Sequence, residues 1–391
     1  MESFFRTHAY LVEHTDLPVR RALMDEIDWR QPLIGIKGTR GVGKTSFLLQ
    51  YAKEHYNVES RKCLYVNMNN FYFQGRGLSD FAREFRMGGG EVLLIDQVFK
   101  QPQWSSELRR CHDENPGLRI VFTGSSVMRL KEENSELNGL VGSYNLRGFS
   151  FREFLNLKTG LNLPAYSLSE ILSHHQSITA HILEQVDPLQ FLQGYLHHGF
   201  YPFFLEHRNF SENLLKTMNM MIEVDILLIK QIELKYLSKL KKLLYLLAIN
   251  RPCAPNVSQL AIDIETSRAT VMNYIKYLSD ARLINLIYRQ GEEFPKKPAK
   301  VMMHNSNLMY TIYPSSMETI DVAETFFQNA LWAYHDVRMG DRYSSFIVDG
   351  RHFKVSMSEP RRNNPAIIYA CHSTRQGHDN ILPLWLFGFL Y

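Results

Sequence analysis

The sequence predicts an α/β fold: a parallel sheet flanked by helices, followed by helical segments and a small α+β module. Three observations predict it. A short apolar run, LIGIK (33–37), leads into a glycine-rich loop, GTRGVGKT (38–45), and then into SFLLQYAKEHY (46–56), where Phe47, Leu48 and Tyr51 recur at helical spacing. A second apolar run, VLLID (92–96), follows the turn Gly88, Gly89, Gly90 and ends on an acid. A third, LRIVFTGSS (118–126), reads as another strand running into small polar residues. Apolar strands alternating with helical stretches form a parallel sheet with helices on both faces.

The loop satisfies G-x-x-x-x-G-K-[ST] at every fixed position, in the strand–loop–helix context that a phosphate loop needs. Gly38, Gly41 and Gly43 let backbone N–H groups approach phosphate oxygens with no Cβ in the way. The helix that follows aims its N-terminal N–H groups and positive dipole end at the anion. The candidate nucleotide-binding residues are therefore Gly38, Thr39, Arg40, Gly41, Val42, Gly43, Lys44, Thr45 and Ser46. Lys44 would reach the β- and γ-phosphates, and the Thr45 hydroxyl would ligate Mg²⁺. The expected cofactors are ATP and Mg²⁺, although no motif for a base pocket is readable.

The second half of such a site is an acid at the end of a buried strand. Asp96 supplies it, and would hold Mg²⁺ directly or through water. The position after it, where hydrolytic NTPases of this class place a glutamate, is Gln97. An amide cannot accept a proton, so general-base assistance, usually worth about 10²–10⁴ in rate, is not available from it. Gln97 can still orient a water by hydrogen bonds. Thr123, Ser125 and Ser126 stand where a γ-phosphate sensor would lie, so Gln97 and Ser125 are the candidate catalytic residues.

The matching stretches MDEIDW (24–29), LIGIKGTRGVGKT (33–45), LLIDQVFKQPQWSSEL (93–108), GLRIVFTGSS (117–126), LRGFSFREFL (146–155), YLHHGFYPFF (195–204), NSNLMY (305–310) and LPLWLFGFLY (382–391) are spread over nearly the whole chain. In them the chain resembles a family of prokaryotic AAA-type ATPases, related to the signalling NTPases, with a C-terminal winged helix and a degenerate restriction-endonuclease-like domain. The resemblance implies that the loop strand and the Asp96 strand are separated by the sensor strand. The departures are informative. The family reads aspartate–glutamate where this chain has Asp96–Gln97, and histidine before the lysine where it has Phe99 before Lys100. Where the family carries an Asp-Leu-Ser-Arg-Arg run, this chain has ELNGL (136–140), with no arginine. An arginine there would stabilise charge on a transferred phosphoryl group, an effect of about 10³–10⁵ in known GTPases. Arg147 and Arg152 are the nearest substitutes.

Downstream, residues 166 to about 230 are Leu-rich and helix-like, with Ser169 as the expected N-cap. The resemblance makes this stretch a helical lid. The adjacent pairs His174, His175 and His197, His198 do not share a helix face, which argues against a common metal. Residues 238–290 carry a three-helix pattern: SKLKKLLYLLAIN, VSQLAIDIE, and SRATVMNYIKYLSDA capped by Ser267. LINLIYR follows as the strand of a wing. This resembles a winged helix-turn-helix, whose third helix would expose Arg268, Thr270, Asn273 and Lys276 to a DNA major groove. Docking to the core or to a protein partner is favoured over DNA. In the last part, FIVDG (346–350) and FKVSM (353–357) offer Asp349 and Lys354, with no further carboxylate before Glu359. That is too few ligands for a nuclease metal site.

The organisation expected is a P-loop core at 1–165, a helical lid at 166–232, a winged helix-turn-helix at 233–312 and a degenerate nuclease-like α+β domain at 313–391. A length of 391 residues suits several domains at roughly 150 residues each. With 44 basic and 40 acidic residues, the net charge of +4 is too mild to indicate nucleic acid or a membrane surface by itself. The four cysteines form no C-x-x-C pair, which argues against a zinc ribbon. MESFFRTHAY shows no signal peptide, and the apolar run ILPLWLFGFLY, 11 residues long, is too short to span a bilayer. A cytoplasmic protein without membrane contact is expected. The function expected is an ATP-binding switch with weak or absent hydrolysis. The alternatives are an active ATPase and a winged-helix DNA-binding regulator.

Overall fold

The structure is a computed structural model, and it describes residues 1–15, 18–128, 137, 139–206, 209–314 and 318–391. They fall into two compact units, Met1–Arg147 and Gly148–Tyr391.

The first unit is built on five parallel strands: β1 (Leu33–Gly38), β2 (Cys63–Asn67), β3 (Val92–Asp96), β4 (Arg119–Ser125) and β5 (Gly142–Asn145). Their order in the sheet is β2-β3-β4-β1-β5. The sensor strand β4 thus lies between the loop strand and the Asp96 strand, as the resemblance implied. Side chains of β3 are buried along its whole length, which is why VLLID reads as a continuous apolar run with no alternation. The helix Glu2–Glu13 packs on the edge strand β2, with Phe4, His8 and Val12 buried at helical spacing. His8 Nδ1 accepts the Tyr65 N–H at 3.1 Å, satisfying one edge-strand donor.

The second unit opens on two capped helices. Ser150 and Glu153 form a capping box on Phe151–Thr159, and Ser167 and Glu170 form another on Leu168–Leu183. The N-cap of the latter helix is therefore Ser167 and not Ser169. Only Ser167 stands three residues before a glutamate, the spacing a capping box requires. Two pairs of the motifs noted in the sequence interlock here. The buried Asn307 donates from Nδ2 to Tyr195 O and Leu196 O at 3.1 and 2.9 Å, and its Oδ1 accepts the Phe200 N–H at 2.9 Å. NSNLMY thereby clamps the end of YLHHGF. The six-residue turn Leu384–Phe389 is buried throughout, and Gly388 lies so close to Phe151 that a Cβ would meet its side chain at 2.4 Å. LPLWLFGFLY thereby packs on LRGFSFREFL.

Helices Leu237–Ile249, Val257–Asp263 and Arg268–Asp280 precede an antiparallel hairpin of β6 (Ile284–Ile287) and β7 (Lys300–Met303). Ser267 caps the third helix, accepting the Thr270 N–H at 3.1 Å. A mixed sheet closes the unit: β8 (Val337–Met339), β9 (Phe346–Val348), β10 (Arg351–Ser356), β11 (Ile367–Cys371) and β12 (Ile381–Pro383). Its order is β12-β11-β10-β9-β8, parallel from β10 to β12 and antiparallel from β8 to β10. Helix Thr319–Leu331 covers it, with Phe327 against Phe346, Phe353 and Phe387. No helix among the described residues is long and apolar enough to cross a membrane.

Candidate functional site

The site is assembled at the C-terminal ends of β1, β3, β4 and β2. β1 ends at Gly38, where a Cβ would lie 2.5 Å from Leu146 O. Any larger residue would push β1 away from the chain that follows β5. The loop then turns through Gly41 (φ +86°) and Gly43 (φ +94°), left-handed conformations that glycine adopts without steric cost. Val42 is wholly buried and pins the loop from beneath. Arg21, also buried, donates to Val42 O at 3.2 Å and to Arg147 O at 2.7 Å, tying the loop backbone to the end of the unit.

Helix Lys44–His55 starts at Gly43 with no side-chain cap and no acidic residue in its first turn. Its leading N–H groups and positive dipole end therefore keep their affinity for an anion. The Lys44 ammonium lies against the loop, donating to Gly38 O and Thr39 O at 2.8 Å each. The structure thus brings together the loop residues singled out in the sequence, from Gly38 to Ser46.

Asp96, 1% exposed, is the hub of the site. Its Oδ2 accepts from Thr45 Oγ1 at 2.7 Å, Tyr65 Oη at 2.8 Å and Asn67 Nδ2 at 3.2 Å. Its Oδ1 accepts from Thr123 Oγ1 at 2.5 Å. A carboxylate this deep needs such donors to offset lost hydration. Burial, then the Asp96 charge, pushes the Tyr65 phenol up, so it stays protonated and donates. Thr45 and Asp96 present adjacent hard oxygens, the donor type that Mg²⁺ prefers alongside phosphate and water.

Gln97 follows in a left-handed conformation (φ +58°), and its N–H donates to Thr123 Oγ1 at 2.9 Å. The Thr123 hydroxyl thus bridges Asp96 and Gln97 from within the sheet. The Gln97 carboxamide makes no hydrogen bond with another described residue. Ser125 pairs in register with Gly38 at the edge of the loop and accepts the Val127 N–H at 3.4 Å.

Tyr65, Asn67 and Arg21 were missed in the sequence. β2 pairs with β3 so that Asn67 lies beside Asp96, with Tyr65 two residues earlier on the same face. Polar residues interrupting the apolar strand CLYVN were the available signal.

The proposed arginine substitutes differ in their surroundings. Arg152 is engaged within the second unit, donating to Leu163 O at 3.1 Å and Tyr391 O at 3.0 Å. Arg147 lies at the end of the first unit, buried. Of the ELNGL stretch, Glu136 and Asn138 lie outside the described residues, and Leu137 is buried. On helix Arg268–Asp280, Arg268 and Asn273 are exposed. Thr270 Oγ1 lies 2.9 Å from Ser267 Oγ, and Lys276 pairs with Asp280 at 2.9 Å. Two of the four candidate DNA-contacting side chains are thus engaged within the protein. Asp349 sits in the β9–β10 turn, with Oδ2 2.7 Å from His335 Nδ1 and Oδ1 accepting the Asp336 N–H at 2.9 Å.

Residues 30–155 match a family model described as an AAA domain, and residues 189–311 match a domain of unknown function, DUF8612. With the five-stranded parallel sheet and loop, the match marks the first part of the chain as an AAA-type P-loop domain. Two uncharacterised proteins of Methanocaldococcus jannaschii are similar. One is 26% identical over 276 residues, covering 67% of this chain and 58% of the relative. The other is 25% identical over 263 residues, covering 64% and 55%. The chain thus spans little more than half the length of these curated relatives. Among solved structures, the Aeropyrum pernix ORC1 protein in complex with DNA is 13% identical, covering 80% of this chain and 92% of that one, with a TM-score of 0.29. The C. elegans protein PCH-2 is 13% identical, covering 72% and 66%, with a TM-score of 0.25. Scores this low carry over neither architecture nor function.

Proposed function

We propose that this chain is a nucleotide-dependent switch of the AAA type, binding ATP with Mg²⁺ at the 38–46 loop and hydrolysing it slowly or not at all. One observation carries this reading: the loop, Lys44 and the Thr45–Asp96 pair are in place, while the residue after Asp96 is an amide. The loop N–H groups and Lys44 hold the phosphates. Thr45 and Asp96 hold the metal, whose charge offsets that of the β- and γ-phosphates. Gln97 orients a water without taking its proton, so attack proceeds with no general base. ATP then persists in the site, and its presence is what a partner reads.

The partner surfaces in this reading lie in a winged helix-turn-helix at 233–312 and a nuclease-like module at 313–391, with a helical lid at 166–232. Protein docking is favoured over duplex DNA because Lys276 and Thr270 are already paired internally.

A second reading, an active ATPase, rests on the unengaged Gln97 carboxamide, which is able to position water as a glutamine does in small GTPases. Thermal shift with ATP–Mg²⁺ tests binding. A ligand at a hundred times its Kd stabilises by about 2.7 kcal/mol, and Lys44→Ala should abolish the shift. No shift in wild type at saturating ATP would reject both readings.

A further inference from the structure

Tyr65 and Asn67 of β2 meet Asp96 at the oxygen that faces the phosphate loop. Asp96 Oδ2 accepts from Thr45 Oγ1 at 2.7 Å, from Tyr65 Oη at 2.8 Å and from Asn67 Nδ2 at 3.2 Å. A carboxylate oxygen has two lone pairs. The two short bonds, from Thr45 and Tyr65, fill them. Asn67 takes a lesser share, its Nδ2 lying also 3.4 Å from Tyr65 Oη. The other oxygen, Oδ1, is taken from within the sheet by Thr123, which is itself wholly buried.

Mg²⁺ keeps several waters and takes one or two protein oxygens beside phosphate. Held by Thr45, the metal or its water meets Asp96 at Oδ2. Thr45 does not stand in the way, because its oxygen can ligate a cation while its proton stays on Asp96. Tyr65 does stand in the way. It occupies the lone pair that a cation or its water needs.

Tyr65 cannot step aside cheaply. It is 5% exposed, and its N–H is held by His8 Nδ1 at 3.1 Å. Its strand pairs with β3 from Cys63 to Asn67, which fixes Asn67 opposite Asp96. A hydrogen bond to a charged acceptor is among the stronger ones a protein makes. Together the four donors stabilise the ionised carboxylate with no help from a cation.

We infer that Tyr65 competes with Mg²⁺ for Asp96, so that this chain binds ATP nearly as well without the metal as with it. The inference rests on nucleotide binding at the 38–46 loop and concerns how that site is regulated. Occupancy follows the nucleotide concentration and is nearly insensitive to free Mg²⁺.

Calorimetric titration of the full chain with ATP, once in EDTA and once in excess Mg²⁺, gives the metal's contribution as a ratio of two affinities. In wild type the gain from Mg²⁺ is expected to stay under about tenfold. Tyr65→Phe removes the hydroxyl and keeps the ring. It should raise the gain by about tenfold, with the affinity in EDTA unchanged. A merely structural role for the hydroxyl would shift both arms alike and leave the ratio where it was. If Tyr65→Phe fails to fold, the wild-type ratio alone decides. A wild-type gain above about tenfold, or a folded Tyr65→Phe chain whose gain does not exceed that of wild type, would overturn the inference and leave nucleotide binding standing. Absence of ATP binding in both arms would reject nucleotide binding and the inference with it.

Discussion

Replacing Thr123 by valine probes the Asp96 hub with little change of shape. Thr123 is wholly buried, its hydroxyl donates to Asp96 Oδ1, and it accepts the Gln97 N–H at 2.9 Å. Valine keeps the branched outline and removes both bonds. A hydrogen bond to a charged group contributes about 1.5–3 kcal/mol, and an unsatisfied N–H costs about 1–3 kcal/mol. Thr45, Tyr65 and Asn67 still hold the other carboxylate oxygen, so the lower ends apply and the sum is about 2.5 kcal/mol. For a unit of this size, that corresponds to a melting shift of roughly 5–10 °C. Urea denaturation of wild type and Thr123→Val should show a lower midpoint with an unchanged slope. A loss under about 0.5 kcal/mol, the range of an inert surface change, would refute the bridging role assigned to Thr123.

Other substitutions reach different parts of the molecule. Gly38→Ala places a methyl 2.5 Å from Leu146 O and should weaken ATP binding about tenfold or more, as read by nucleotide titration. Burial lowers the His8 pKa from its usual 6.5 to about 4. Between those values the unfolded chain binds the extra proton, so stability is full above pH 6.5 and falls by about 3 kcal/mol as pH drops to 4. His8→Gln should flatten that slope in pH-dependent urea titrations. Asn307→Leu strands the Phe200 N–H, while Tyr195 O keeps the Gly199 N–H and Leu196 O keeps the Ser306 hydroxyl, and should destabilise the second unit by about 1–3 kcal/mol. Faster hydrogen exchange over residues 189–200 would report it.

The phosphate loop was legible because its chemistry is local: glycines, lysine and threonine act within eight residues of one another. Asp96 was legible because a strand buried on both faces leaves an uninterrupted apolar run that stops at the acid. Tyr65 and Asn67 were not, because their role depends on sheet register across 31 and 29 residues. Arg21 reaches Arg147 O over 126 residues, and no local pattern announces such a tie. The N-cap at Ser167 was readable, since Ser167 and Glu170 have capping-box spacing, yet the second serine in SLSE drew the reading two residues too far. In the second unit, Lys276 and Thr270 show the limit of helical-face arguments. Spacing places a residue on a face, but Asp280 and Ser267 decide whether its polar group is available.

In the proposed switch the site holds nucleotide while Gln97 withholds a general base. Phosphate release from ATP–Mg²⁺, measured side by side for wild type, Lys44→Ala and Gln97→Glu, tests it most directly. Background release is expected from wild type, a gain of about 10²-fold or more in Gln97→Glu, and none from Lys44→Ala. Steady release from wild type that Lys44→Ala abolishes and Gln97→Glu leaves unchanged would contradict it.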